Sequence, residues 1–243
     1  MRLDEYQRMY ELESSYWWHQ GRRRIIELLL KKHIPKSSKP VQILDLGCGT
    51  GINFEILQKF GIVKGIDSSP AALEFCKKRG FANVELADVE KLESSDNTYD
   101  LVTAFDLLEH LDNDEAALRR IYRILKPGGL VFILAPAYQF LWSGHDEALH
   151  HKRRYLLSEM HRKLSRAGFQ MKKRSYCITF LSLPMVLYRL VTSFGANRRP
   201  ATSYVILPKW LNSFFISLLH LEAYLLKKFN FPFGISILCL AKK

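Results

Sequence analysis

Three groups of residues in this chain have the types and spacing that chemistry needs. The first is Asp45-Leu-Gly47-Cys48-Gly49-Thr-Gly51, in which glycine recurs at every second position after the apolar run Val41–Leu44. Glycine tolerates positive φ, and the missing Cβ lets a ligand approach the backbone closely. Helix-compatible residues resume at Ile52 and Asn53, and the free N–H groups of a helix start favour a carboxylate or a phosphate. The second group is a pair of acids that each close an apolar segment, Asp67-Ser68 and Asp88-Val89. Asp67 lies 20 residues beyond Gly47, a separation that suits hydrogen bonds to both hydroxyls of a ribose. The third group is the histidines: His110, which ends Phe105-Asp106-Leu-Leu-Glu-His110, and His145 and His151 in the polar stretch 136–155. An imidazole titrates near neutrality and can take a proton from a reacting hydroxyl. His145, Asp146, Glu147, His150 and His151 also bring metal donors together, but their spacing is not diagnostic of a metal site, and none is expected.

The glycine spacing narrows the ligand. A dinucleotide fingerprint needs G-x-G-x-x-G, and here Ile52 stands where the third glycine would be. "LDLGCGTG" resembles instead the first motif of the class I S-adenosylmethionine (SAM)-dependent methyltransferases. A nicotinamide or flavin site, and a glycine turn with no ligand, are the alternatives. The resemblance implies SAM as cofactor and an α/β fold with a doubly wound, mostly parallel sheet of seven strands in the order 3-2-1-4-5-7-6. It implies that the glycine loop with Asp45, Gly47, Cys48, Gly49, Gly51 and Asn53 holds the methionine portion. Asp67 and Ser68 would then serve the ribose, Asp88 and Val89 the adenine, and Phe105, Asp106 and His110 the floor near the sulfonium. "WWHQGRRR" resembles a lead-in found in bacterial methyltransferases of glycan and lipid biosynthesis, although His19 replaces their usual Phe. By that likeness Trp18 covers the cofactor, and Arg22 or Arg23 pairs with its carboxylate.

The elements that must position these groups can be read in order. Residues 2–33 read as two helices broken near Ser14–Ser15, and Pro35–Pro40 as a linker. Ile52–Phe60 reads as the first core helix, Ile62–Asp67 as a strand, and Ser69-Pro70 as a capped helix start. Asn83–Ala87 and Tyr99–Phe105 are the next strands, Asp114–Leu125 a helix, and Lys126–Gly129 a tight turn into the strand Leu130–Ala135. A helix over Ser158–Ala167, capped by Ser158, precedes the strand Phe169–Ile178, and Ile235–Ala241 is the closing strand. The expected single domain therefore has an N-terminal helical lid (1–39), a SAM-binding core (40–178 plus 232–243) and a helical insertion (179–231). The resembled fold joins its last two strands by a short link; here two apolar runs, Phe180–Phe194 and Trp210–Leu226, intervene.

Composition bounds the acceptor. Of 243 residues, 48% are hydrophobic and the net charge is +12. Residues 151–243 sum to +15, with only Glu159 and Glu222 as acids, and residues 1–150 to −3. A basic and apolar C-terminal third points to an acidic lipid-like acceptor or a membrane surface. Enzymes of the resembled family that methylate base amines usually carry Asn/Asp-Pro-Pro-Tyr after the fourth strand. This chain has "FDLLEH" there, similar to small-molecule, lipid and quinone methyltransferases, so a nucleic-acid partner is not expected. The expected reaction is methyl transfer from SAM to a hydroxyl of a small-molecule, glycan or lipid-linked acceptor, with peripheral contact at the inner membrane face. RNA or protein methylation, and a non-catalytic membrane- or protein-binding module, are the competing readings. Four scattered cysteines without a C-x-x-C pair, and no apolar leader, fit a reducing cytoplasm.

Overall fold

The computed structural model describes residues 3–35, 39–92, 94–193 and 204–243. Seven strands form one sheet: β1 (Val41–Leu46), β2 (Gly61–Asp67), β3 (Val84–Leu86), β4 (Tyr99–Phe105), β5 (Leu125–Pro136), β6 (Gln170–Cys177) and β7 (Ser236–Lys242). Their order is β3-β2-β1-β4-β5-β7-β6, as the resemblance implied. The first five pair in parallel, and β7 runs antiparallel between β5 and β6. Strands such as Leu130–Ala135 are apolar on both faces because both are covered, the usual condition of a parallel sheet. Alternate residues serve opposite layers. Ile43, Leu101, Phe132 and Leu238 face one core cluster, while Leu44, Val102, Ile133 and Ile237 face the other.

The first layer holds α2 (Trp17–His33), the short α3 (Phe54–Leu57), α4 (Pro70–Lys78) and α9 (Lys209–Leu226); the second holds α5 (Asp114–Ile124) and α7 (Leu157–Arg166). Helix α1 (Leu3–Leu12) packs through Tyr6 on Ala72 and Phe75 of α4. Helices α8 (Ser182–Ser193) and α9 occupy the insertion between β6 and β7. The lid and the insertion are not separate appendages. Trp17, Ile25 and Leu29 of α2 share one cluster with Leu219, Ala223 and Leu226 of α9. The Trp17 N–H donates to Asn212 Oδ1 at 3.0 Å, and Asn212 Nδ2 donates to the Ser15 carbonyl at 3.0 Å. Glu222 is buried in α9 and accepts the Thr179 and Phe180 N–H groups at 2.9 and 3.0 Å, which ties the insertion to the end of β6.

Several boundaries differ from the sequence expectation. The first core helix is only α3, because Lys59 and Phe60 close tighter i→i+3 bonds before β2 starts at Gly61. Gly61 has no room for a longer helix or a side chain, since a Cβ there would lie 2.0 Å from the Val41 carbonyl. Lys126–Gly129 is not a free turn: β5 begins at Leu125, and a register shift opposite Tyr99/Leu101 absorbs the two glycines. Ser158 does not cap α7; the helix starts at Leu157, whose N–H is taken by the Tyr176 hydroxyl at 3.3 Å. Ser69 does cap α4, with Pro70 in the first turn.

Candidate active site

At the carboxyl ends of β1, β2, β4 and β5 a single cavity of about 560 Å³ opens, roofed by α1 and α2. Such crevices are where open α/β sheets bind ligands. Gly47 (φ 66°) and Gly49 (φ 56°) are left-handed. A Cβ at Gly47 would strike Leu107 at 2.9 Å, whereas one at Gly49 would meet only Met9, at 3.7 Å, on the cavity side. The Gly47 and Cys48 N–H groups are anchored on the Ile66 carbonyl at 2.8 and 3.0 Å. This fixes the loop beside the end of β2. Asp67 there accepts the Gly49 N–H at 2.9 Å through one oxygen and the Ser69 N–H at 2.9 Å through the other. Each oxygen keeps a lone pair for a further donor, and burial raises the carboxyl's pKa. Asp88 accepts the Glu90 N–H at 2.9 Å and so caps the turn that carries buried Val89 into the cavity wall.

Of the residues expected to hold the cofactor, Trp18, Arg22, Arg23, Gly47, Cys48, Gly49, Asn53, Asp67, Ser68, Asp88, Val89, Phe105, Asp106 and His110 line this cavity. Asp45 and Gly51 do not. Asp45 lies behind the loop, bonded to the Thr103 hydroxyl at 2.6 Å, and burial pushes its pKa up to about 7. Gly51 turns its Cα toward α4, where a Cβ would lie 3.0 Å from Cys76 Sγ. The two arginines differ. Arg22 is buried, pairs with Asp106 and lies 5.8 Å from the Trp18 ring. Asp106 reaches it from a left-handed backbone (φ 51°) at the end of β4, a sparsely populated conformation of the kind that gathers at functional sites. Arg23 is bonded to the Glu13 and Ser14 carbonyls at 3.0 and 3.4 Å and holds the turn between α1 and α2.

Sequence reasoning missed Glu13. It is buried, reaches down from the end of α1 and receives the Thr50 hydroxyl, 2.6 Å from its Oε2. Burial lifts its pKa to about 7 despite that bond and the nearby Arg79. A glutamate in a helical stretch carries no local sign that it will cap a loop 37 residues away.

The β4–β5 side of the cavity carries His110, His145 and His151 together. A short helix, α6 (Gly144–Ala148), opens with a capping box between Ser143 and Asp146. Buried Asp146 is the hub of this loop. It is 2.9 Å from His151 Nδ1 and receives a two-point pair from Arg154, at 2.8 and 2.9 Å. The two arginines that follow His151 go separate ways. Arg154 is spent on Asp146, while Arg153 reaches the Asp112 carbonyl at 3.1 Å. Buried Tyr155 locks the loop's end through Asp114 at 2.8 Å. The His110 and His151 rings stand 4.8 Å apart, and His145 is 6.4 Å from His151. Burial, with His151 close by, pushes the His110 pKa down to about 4, so His110 is neutral in ordinary buffers.

Comparison with known proteins agrees with this architecture. A profile for the family described as "Methyltransferase domain" matches residues 44–133. Ubiquinone biosynthesis O-methyltransferase of Coxiella burnetii is 28% identical over 140 residues, covering 53% of this chain and 60% of that protein. Phosphoethanolamine N-methyltransferase 3 of Arabidopsis thaliana is 38% identical over 103 residues, covering 39% of this chain and 21% of that protein. The chain thus matches less than two thirds of the length of either relative. Among solved structures, a SAM dependent methyltransferase from Archaeoglobus fulgidus superposes with TM-score 0.59 at 21% identity, covering 91% of this chain and 94% of that one. The cofactor of this family is SAM, and the residues present suit it: the missing side chain of Gly49 leaves open space on the cavity side of the loop, and Asp67 stands beside it at the end of β2. Residues 44–133 thus match the methyltransferase-domain family, and with this strand order and glycine loop the chain has the fold of the class I S-adenosylmethionine-dependent methyltransferases.

Proposed function

We propose that the chain transfers the methyl group of SAM to a hydroxyl of a small-molecule, glycan or lipid-linked acceptor. One observation carries this reading: a single cavity joins the glycine loop and Asp67 to the histidines of the β5 loop. When bound, SAM supplies a methyl group made electrophilic by its sulfonium. The chain's residues have three tasks. Gly47, Gly49, Asp67, Asp88 and Val89 orient the cofactor, with Arg22, a cation of the cavity lining, for its carboxylate. The roof, through Trp18, Tyr6 and Met9, excludes water. His151 accepts the acceptor's proton: Asp146 holds Nδ1–H, leaves Nε2 as the base and stabilises the imidazolium that results. His145 is the alternative base, and the low pKa of His110 makes it a poor keeper of a proton.

The acceptor class draws on the C-terminal insertion. Trp210, Phe214, Leu221 and Tyr224 are exposed and share one face of α9 at helical spacing, opposite the buried Leu219, Glu222, Ala223 and Leu226. Exposed Lys209 and Lys228 flank this stripe. Arg198 and Arg199, two further cations of the basic C-terminal third, lie outside the described residues. No described helix is long and apolar enough to cross a membrane, so the stripe suits lying on a bilayer surface rather than spanning it.

Calorimetric titration with SAM tests the cofactor. Asp67→Ala is expected to weaken binding by about 10–100-fold, the worth of hydrogen bonds to a charged acceptor. His151→Asn is expected to leave SAM binding unchanged while lowering kcat by about 10²–10⁴-fold once an acceptor is in hand. Folded protein that binds no SAM would overturn the reading.

A further inference from the structure

Glu109 occupies a position that methyl transfer does not explain. It is fully buried and lines the cavity, yet neither carboxylate oxygen has a hydrogen-bond partner. A buried carboxyl in that state must be met by a proton or a cation, since an isolated buried charge is very costly. Two imidazoles converge on the same spot. His110 follows Glu109 on one short turn, and His151 arrives from the loop after β5. Ligand atoms of all three lie within 4.8 Å of one another.

The surroundings of both histidines suit metal ligation. Asp146 is paired with Arg154 and faces His151 Nδ1 at 2.9 Å, which turns the ring's Nε2 away from that pair as the ligand atom. That carboxylate–histidine arrangement is the usual outer support of a metal-bound imidazole. His110 supplies the second imidazole of the set. The nearby cations do not oppose a metal, because Arg22 is paired with Asp106 and Arg154 with Asp146.

We propose that Glu109, His110 and His151 form a site for one divalent transition-metal ion, open to the cavity, whose free positions take an oxygen of the acceptor. Two imidazoles and one carboxylate suit zinc or ferrous iron, whereas magnesium and calcium prefer oxygen donors alone. The ion uses the same Nε2 of His151 that otherwise accepts the acceptor's proton, so metal-loaded and metal-free forms hold the acceptor oxygen in two different ways. The assignment of that oxygen to an acceptor rests on the proposed methyl transfer; the ligand set does not.

The test uses full-length protein stripped with a chelator, titrated with Zn²⁺ by calorimetry and with Co²⁺ by visible absorption, with a parallel SAM titration. One ion per chain is expected. Glu109→Gln should weaken Zn²⁺ binding by at least about tenfold, the loss that even outer partners of a metal site produce. This variant removes an unpartnered buried acid, so circular dichroism and SAM binding should be unchanged. His151→Ala should abolish the Co²⁺ bands. Wild-type protein that binds SAM but neither ion overturns the metal site and leaves methyl transfer standing. Ion binding without SAM binding supports the metal site and overturns methyl transfer. Stoichiometric ion binding that survives Glu109→Gln also overturns this site.

Discussion

Asp45 shows how a single side chain couples stability to pH. One oxygen is bonded to Thr103, and the other is buried without a partner. Its folded pKa of about 7 stands above its ordinary value of 3.8. Between those values the native state keeps the proton while the unfolded chain has lost it, so raising the pH through this window drains stability. His110 acts in the opposite sense: its folded pKa of about 4 is depressed, so its neutral form is increasingly tolerated as the pH rises from about 4 to 6.5. Asp45→Asn isolates the first effect, because His110 is common to both proteins. Relative to wild type, the variant should gain stability, by an amount of order a few kcal/mol, between about pH 5 and about pH 8. Urea denaturation at the two pH values measures it, and a gap that stays constant refutes the assignment. Asp45 was readable in the sequence as part of a glycine motif, but its position behind the loop was not. The motif's spacing says that an acid ends the strand; only the pleat decides which side of the loop it serves. Glu109 and Asp146 were hidden for a related reason, since their roles depend on partners brought by other segments.

At the scale of elements, the crossing of α2 and α9 is set by one glycine. A Cβ on Gly21 would meet Leu219 Cβ at 2.6 Å and Cδ1 at 2.2 Å, so the helices approach through the missing side chain. Gly21→Ala should gain about 1 kcal/mol in helix propensity and lose more by overpacking, about 1–3 kcal/mol. A lowered urea midpoint with an unchanged slope is the expected result. An unchanged or raised midpoint would mean that the crossing relaxes freely. The core elements were legible because local signals agree: Tyr99–Phe105 is an apolar run, and Ser69-Pro70 is a helix start with both cap and proline. The α2–α9 contact was not legible. Each helix shows an apolar stripe, but nothing in either stripe names a partner about 195 residues away. The same holds for α7, whose first N–H is satisfied from another strand rather than by its own serine.

At the scale of the molecule, charge and apolar exposure fall on the same third of the chain. Trp210 is 72% and Phe214 57% exposed, an arrangement that monomeric surfaces rarely leave uncovered when several such residues are contiguous. The double substitution Trp210→Ser with Phe214→Ser should therefore reduce sedimentation with anionic phospholipid vesicles several-fold. It should leave SAM binding intact, since neither residue lines the cavity. Added salt should weaken the wild-type interaction, because the flanking lysines act through screened charges. Equal vesicle binding by the two proteins would remove the membrane from the proposed function. The sequence showed this basic and apolar bias plainly, but it could not show which face of α9 is covered by α2.

The bond from the Trp17 N–H to Asn212 has a consequence for how the protein is made. A ribosome delivers α2 early and α9 late, so the apolar side of α2, with Ile25 and Leu29, has no α9 to cover it for most of synthesis. The sheet from β1 to β5 can form in that interval, but the completed roof waits for the insertion to emerge. The apolar side of α2 therefore reaches its buried state only after almost the whole chain has been made.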